Sequence, residues 1–207
     1  MGYTRAMILS LTTLKGGVGK TTSSFFLAAA ALERGQSVTI IDADNEQSAI
    51  AWWNLIPDKP PAMNVIAANL DGLARQAREY AHSSTVIIDT PPNSREMLNR
   101  TANVADHVIV PVKPTGLDVD RMRSTLELLA DVDATRGGLD VAILFTHWQG
   151  RQTLARDALE VLQSYKLPVL ETKIRLLKPY AEPFGTIPTY LEEYQAVWDE
   201  ILGGVSV

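Results

Sequence analysis

The sequence predicts an α/β fold: a mostly parallel, twisted sheet with helices on both faces, in a single domain over residues 1–207. Three observations predict it. Short apolar runs are continuous rather than alternating, as in strands buried on both faces. Longer segments with three- and four-residue apolar spacing separate them, and Gly, Pro or Asp punctuates the junctions, the pattern of repeated strand-helix units. A length of 207 residues suits one full-sized domain and leaves no room for a second beside it.

In chain order, Ala6–Thr13 is the first strand run, followed by a glycine-rich turn and a helical segment, Lys20–Arg34. Ser37–Asp42 is the second run and ends in acid. Trp52 and Trp53 follow; adjacent side chains diverge, which predicts one core and one partly exposed aromatic, either of which could serve an interface. Pro57 to Pro61 reads as a turn. Met63–Ala67 is a strand, Leu70–His82 a helix, Thr85–Asp89 a strand ending in acid and His107–Val112 another strand. In the helical segment Asp118–Ala134, Val119, Met122, Leu126, Leu129 and Val132 share one face. Val141–Thr146 is a strand, Thr153–Tyr165 a helix and Pro168–Leu170 a last short strand. Tyr190–Leu202 is amphipathic, with Glu192, Glu193, Asp199 and Glu200 as its polar positions and no Lys or Arg. That charge repels anionic lipid, so the segment is expected to pack on the sheet rather than on a membrane.

Composition narrows the function classes. An apolar fraction of 46% with 21% charged residues excludes a disordered chain, and the apolar runs fall short of the ~20 residues that span a bilayer. With 19 Lys and Arg against 24 Asp and Glu, the net charge of −5 confines any DNA contact to a local basic patch. The absence of cysteine removes disulfides, thiolate metal sites and thiol nucleophiles. The N-terminal MGYTRAM has no secretory features, which predicts a cytoplasmic protein. His82, His107 and His147 are scattered and form no zinc-binding pattern.

The chemistry concentrates in Leu14–Lys15–Gly16–Gly17–Val18–Gly19–Lys20–Thr21–Thr22, between a strand and a helix. Glycines let backbone N–H groups converge on an anion, and the helix N-terminus adds partial positive charge. Lys20 can reach β- and γ-phosphates, and Thr21 offers a hydroxyl to Mg²⁺. This is a P-loop for a nucleoside triphosphate, so the fold class is a P-loop NTPase. The strict pattern would place a glycine at position 14; Leu14 stands there, and the match is to the deviant form KGGxGKT with an extra lysine, Lys15.

Hydrolysis also needs a held Mg²⁺ and a positioned water. Val86–Ile87–Ile88–Asp89 runs an apolar strand into a carboxylate, which marks Asp89 as the Mg²⁺ carboxylate. Ile40–Ile41–Asp42–Ala43–Asp44 supplies another pair, of which Asp42 suits Mg²⁺ or structural hydrogen bonding.

These motifs resemble the ParA/MinD group of P-loop ATPases over nearly the whole chain. The resemblance implies ATP and Mg²⁺ as cofactors and an ATP-sandwiched homodimer in which Lys15 reaches the partner's nucleotide. It places Asp44 beside the attacking water. The group's D-x-D-P-Q continuation is altered here, Asn45 and Glu46 standing where Pro and Gln are usual and Gln47 one place later. The run Val110–Asp118 resembles a loop beside the nucleotide and dimer interface, which marks Pro114 and Thr115 as binding residues; a helix-capping turn explains Thr115 and Asp118 equally well. Leu144–His147 falls where the adenine is often supported.

Partition ATPases of this group bind DNA without sequence specificity, so Arg151, Arg156, Lys166, Lys173, Arg175 and Lys178 form the candidate patch. No helix-turn-helix precedes the P-loop, as in the short partition ATPases. The expected function is ATP-driven partition of a DNA cargo such as a plasmid, with a ParB-like partner stimulating hydrolysis and the ATP-bound form on the nucleoid. Positioning of a protein cargo and MinD-like membrane regulation are the alternatives, and a biosynthetic P-loop enzyme is a third; the lack of cysteine excludes an iron-sulfur version.

Overall fold

Continuous apolar runs become strands because both faces of the sheet are covered. The structure is a computed structural model that describes residues 6–150, 153–164 and 167–203. Six parallel strands, β1 (Ile8–Leu11), β2 (Val38–Asp42), β3 (Met63–Ala67), β4 (Thr85–Asp89), β5 (His107–Val112) and β6 (Asp140–Phe145), form one sheet in the order β3-β2-β4-β1-β5-β6. Every residue of β1, β2 and β4 is buried, whereas the edge strand β3 exposes Asn64 and Ala67.

The helices are α1 (Lys20–Glu33), α2 (Ser48–Leu55), α3 (Leu70–Tyr80), α4 (Arg95–Ala102), α5 (Gly116–Arg136), α6 (Thr153–Ser164), α7 (Lys178–Ala181) and α8 (Glu192–Gly203). Two apolar clusters correspond to the two faces of the sheet. One joins α1, α2 and α8 through Phe25, Phe26, Trp52, Tyr194 and Trp198; the other joins α3 to α6 through Leu73, Leu98, Met122, Leu129 and Leu162. Helix α1 is buried from Ser23 to Ala31, because the sheet lies on one side of it and α8 on the other. Its run of small alanines lets both approach closely.

Register aligns the functional strand ends. Asp89 pairs with Leu11 of β1 on one side and with Asp42 of β2 on the other, so both carboxylates and the start of the glycine-rich loop stand in one row at the C-terminal edge. Open parallel sheets bind ligands at such an edge, where strand order reverses.

Several expectations are corrected. Pro168–Leu170 is not a strand: Val169 makes one isolated bridge to Ile143, and the chain then leaves β6. Pro168 has no N–H to give, Val169 N–H turns back to the Leu167 carbonyl, and after Leu170, whose N–H donates to the Ile143 carbonyl at 3.0 Å, the N–H groups of Glu171 and Thr172 donate to the Glu200 carboxylate of α8 at 2.6 and 2.8 Å. The chain rejoins β6 at Ile174, whose N–H donates to the Phe145 carbonyl at 2.8 Å. Helices α2, α4 and α7 were not anticipated; each spans eight residues or fewer, too little for a periodic signal. Trp52 and Trp53 are both buried. Trp52 stacks on Phe25 with centroids 4.3 Å apart and donates from Nε1 to the Thr186 carbonyl, while Trp53 lies under Lys59. In keeping with its amphipathic pattern, α8 packs against α1 in the apolar layer that covers this face of the sheet and also holds Ile109, Ala142 and Leu144 of β5 and β6.

Trp198 is fully buried at the centre of that layer. Trp198→Ala is expected to cost about 3–5 kcal/mol of stability, read as a lowered midpoint in urea unfolding.

Candidate functional site

The loop between β1 and α1 turns on two glycines in the left-handed region, Gly17 at φ 70° and Gly19 at φ 87°. Gly19 is also the N-cap of α1 and has no side chain to cap it, and the first turn carries no acid. The free N–H groups and the helix dipole therefore face an incoming anion. Three hydroxyls fix the loop from outside. Thr146 Oγ1 donates to the Val18 carbonyl at 2.9 Å, Thr125 Oγ1 accepts from Leu14 N–H at 3.2 Å, and Thr90 Oγ1 donates to the Leu11 carbonyl at 2.9 Å. Val18 is itself buried and anchors the turn.

Lys20 is nearly buried and folds back, its Nζ donating to the Lys15 carbonyl at 3.2 Å. Burial lowers its pKa, and the Asp89 and Asp44 carboxylates oppose that shift. Thr21 Oγ1 donates to Asp89 Oδ2 at 2.6 Å. Asp89 Oδ1 is buried without a partner among the described residues, and burial pushes the Asp89 carboxyl up to about 7 against the pull of the Thr21 hydroxyl and Lys20. A threonine hydroxyl and an orphaned carboxylate oxygen beside a phosphate-binding loop suit a hard divalent cation, and Mg²⁺ takes few protein ligands because water and phosphates complete its shell. Asp42 differs: its two oxygens accept N–H bonds from Asp44 at 3.1 Å and from Ile50 at 3.0 Å, so it braces the loop after β2 and the start of α2.

A cavity of about 410 Å³ opens over this loop. Gly16, Gly17, Gly19, Lys20, Thr21 and Thr22 form its floor, Asp44 and Glu46 one rim, and His147 with Ile174–Leu177 and Tyr180 the outer wall. His147 sits at φ 55°, and its ring lies 3.8 Å from where a Cβ on Gly19 would stand. Its pKa is lowered by burial and by the nearby Lys113. The structure thus brings Lys20, Thr21 and Asp44 together around the cavity, with Asp89 bonded to Thr21 just behind it.

Other expected residues lie elsewhere. Lys15 does not line the cavity, and its Nζ lies 3.8 Å from Asp118 Oδ1. Pro114 and Thr115 stand at the start of α5 rather than in the cavity wall, where Thr115 caps the helix by accepting from Asp118 N–H and donating to its carboxylate. The outer wall from Ile174 to Tyr180 was missed. It has neither strand alternation nor helical period, and only its proximity to β6 in the fold makes it part of the site.

The candidate basic patch is divided by acids. Arg175 is paired with Glu193 and Glu192, and Lys173 donates to the Glu171 carbonyl with Glu200 nearby. Arg156 donates to the Gly150 carbonyl and is exposed, as is Lys178; Arg151 and Lys166 lie outside the described residues. On α8 the apolar residues Tyr194, Val197, Trp198 and Ile201 are buried, and no helix among the described residues is long and apolar enough to cross a membrane.

Comparison with known proteins bears on this site. The family described as CobQ/CobB/MinD/ParA nucleotide binding domain matches residues 9–183. The maintenance of carboxysome distribution protein A of Gloeobacter kilaueensis is 30% identical over 168 residues, covering 80% of this chain and 75% of that protein. Protein ParA of Rhizobium radiobacter is 25% identical over 143 residues, covering 67% and 64%. Among solved structures, an ATP complex of McdA from Cyanothece shares the fold with a TM-score of 0.79 at 18% identity, covering 98% of each chain.

The buried carboxylate gives a pH signature. Because the folded state raises Asp89 from 3.8 to about 7, it binds the proton more tightly than the unfolded chain. That contribution is fully present below the unfolded value and is lost as pH rises through about 7; Asp42 shifts in the same direction. Without nucleotide or Mg²⁺, urea unfolding should show this part of the stability declining from about pH 4 to about pH 7, and Asp89→Asn should flatten the decline.

Proposed function

The chain belongs to the CobQ/CobB/MinD/ParA nucleotide-binding family, and from that premise we propose that it is a ParA-type ATPase that dimerises on ATP and positions a cargo. The observation that carries this reading is the cluster at the loop: Lys20 buried beside the Asp89 and Asp44 carboxylates, Thr21 bonded to Asp89, and Asp89 Oδ1 left without a partner among the described residues beneath an open cavity. ATP would lay its phosphates on the N–H groups of Gly16 to Thr22, and Lys20 would exchange the Lys15 carbonyl for a phosphate oxygen. Thr21 and Asp89 would hold Mg²⁺, with Asp42 bracing the loop behind them. Bound there, Mg²⁺ supplies neutralisation of charge on the β- and γ-phosphates.

Asp44 stands on the rim with its Oδ1 accepting from Glu46 N–H at 3.0 Å, which leaves its carboxylate able to orient a water toward the terminal phosphate. Phosphoryl transfer through a loose transition state demands positioning more than proton abstraction, so orientation is the role assigned to it. Lys15 lies outside its own cavity, which supports its use toward the nucleotide of a second copy, with release from Asp118 as the accompanying change. Pro114 and Thr115 would border the dimer interface from the start of α5.

For the cargo, the reading is non-specific DNA binding by the dimer, on the nucleoid, with exposed Arg156 and Lys178 available to phosphates and a ParB-like or equivalent adaptor stimulating hydrolysis. A protein cargo is the second reading. It is supported by the carboxysome-distribution relative and by the carboxylate pairing of Arg175, which removes charge from the patch. A MinD-like membrane role finds less support, since the apolar face of α8 is already covered.

Lys20→Ala should abolish nucleotide binding in a fluorescent-ATP titration, while Asp44→Ala should keep binding and lose turnover by about 10²-fold or more. Normal turnover by the Asp44 variant would reassign the water-orienting carboxylate. Lys15→Gln should bind ATP but stay monomeric in light scattering, where the wild-type protein dimerises. Gel shifts on random duplex with ATP, repeated across salt concentrations, separate the cargo readings: binding that falls steeply with salt supports DNA, and none at low salt removes it.

A further inference from the structure

The outer wall of the cavity has little regular structure, yet it is tied down from both sides. Toward the sheet, Trp148 N–H donates to the Ile174 carbonyl at 2.9 Å and Leu176 N–H donates to the Trp148 carbonyl at 3.1 Å. Away from the sheet, the ties come from the start of α8. Arg175 Nε donates to Glu193 Oε1, and its terminal nitrogen reaches Glu192 Oε2 at 3.2 Å. Tyr190 Oη donates to the same Glu192 oxygen at 2.8 Å, and Glu193 N–H donates to Tyr180 Oη at 3.4 Å.

Glu193 stands out among these groups. Its side chain is only 11% exposed, while that of Arg175 is 49% exposed, and its Oε2 is buried without a partner among the described residues. An exposed Arg–Glu pair adds little to stability, and burying one end with an unpaired oxygen adds a desolvation cost. Stability alone therefore gives no reason for the arrangement. The location does: Arg175 lines the cavity and is flanked by Ile174 and Leu176, which also line it.

The residue after Glu193 completes the link. Tyr194 also lines the cavity, is fully buried, and shares a 2.9 Å hydrogen bond with Ser23, two residues past Thr21 in α1. One turn of α8 thus grips both walls: Glu193 the outer wall through Arg175, and Tyr194 the loop-bearing helix through Ser23. We propose that Glu193 is a positioning residue for nucleotide binding, setting through Arg175 the separation of the outer wall from the phosphate-binding loop. This rests on the assignment of the cavity to ATP. Its contribution falls on affinity, because it acts on the wall that encloses the nucleotide, whereas the attacking water is assigned to Asp44.

The test is steady-state ATP hydrolysis with a fluorescent-ATP titration on the full chain, using Glu193→Gln, Arg175→Ala, their double variant and Asp199→Asn. Asp199 lies on the same helix but pairs with Arg34 of α1's C-terminal end, away from the cavity. Glu193→Gln and Arg175→Ala should each raise the ATP KM and Kd by about fivefold, with kcat at saturation falling by less than about twofold. The double variant should be no worse than either single one, because both break the same link. An unchanged KM in Glu193→Gln, additive effects in the double variant, or an equal rise in Asp199→Asn would each overturn the proposal. Failure of the wild-type protein to bind ATP would overturn the assignment of the cavity instead.

Discussion

The site depends on one costly placement: a carboxylate, Asp89, held at the end of a central strand with one oxygen bonded to Thr21 and the other to none of the described residues. Burial alone would drive it to the neutral form, and the same desolvation drives Lys20 beside it toward its own neutral form, raising one pKa and lowering the other. Neither group is at ease without further charge in the site. A phosphate chain and a divalent cation would relieve both, since each buried group then has a partner of opposite sign. The rest of the fold can be read as support for this arrangement. Fully buried β4 delivers Asp89, and the adjacent β1 delivers the loop.

Around that centre, the parts that must move and the parts that must stay are fixed differently. The loop floor is locked by the hydroxyls of Thr90, Thr125 and Thr146 against its own backbone. Among the described residues the Lys15 ammonium is held by a long 3.8 Å ion pair to Asp118, its own end partly exposed, a link that is easily exchanged. The segment after β2 falls between these cases: Asp42 braces both its start and α2, while Asn45 and Glu46 at its tip are exposed. The departure from the usual D-x-D-P-Q run falls at that exposed tip, so it leaves the brace intact.

Helix α8 links these parts. Its apolar face closes the layer over α1, and its carboxylates Glu193 and Glu200 hold the chain as it leaves and rejoins the edge of β6. This explains why the same acids that repel lipid also neutralise part of the expected basic patch: they are spent on Arg175 and on the backbone at Glu171 and Thr172. A count of late Lys and Arg residues could not show this, because Arg175 and Glu193 are 18 positions apart in sequence.

The phosphate-binding loop, the acidic ends of β2 and β4, and the alternation of strands with long helices are legible in the order of residues alone. Each of these is a local property: backbone freedom at glycine, a carboxylate ending an apolar run, a period of burial. Tertiary structure alone decided the rest. Asp42 became a brace because α2 begins where its oxygens point, and Pro168–Leu170 lost its strand because Glu200 claims the N–H groups that follow. The outer wall of the cavity came from a segment with no period because β6 and α8 hold it from two sides. Hydrogen-bond partners distant in sequence are settled by packing, and no local pattern records them.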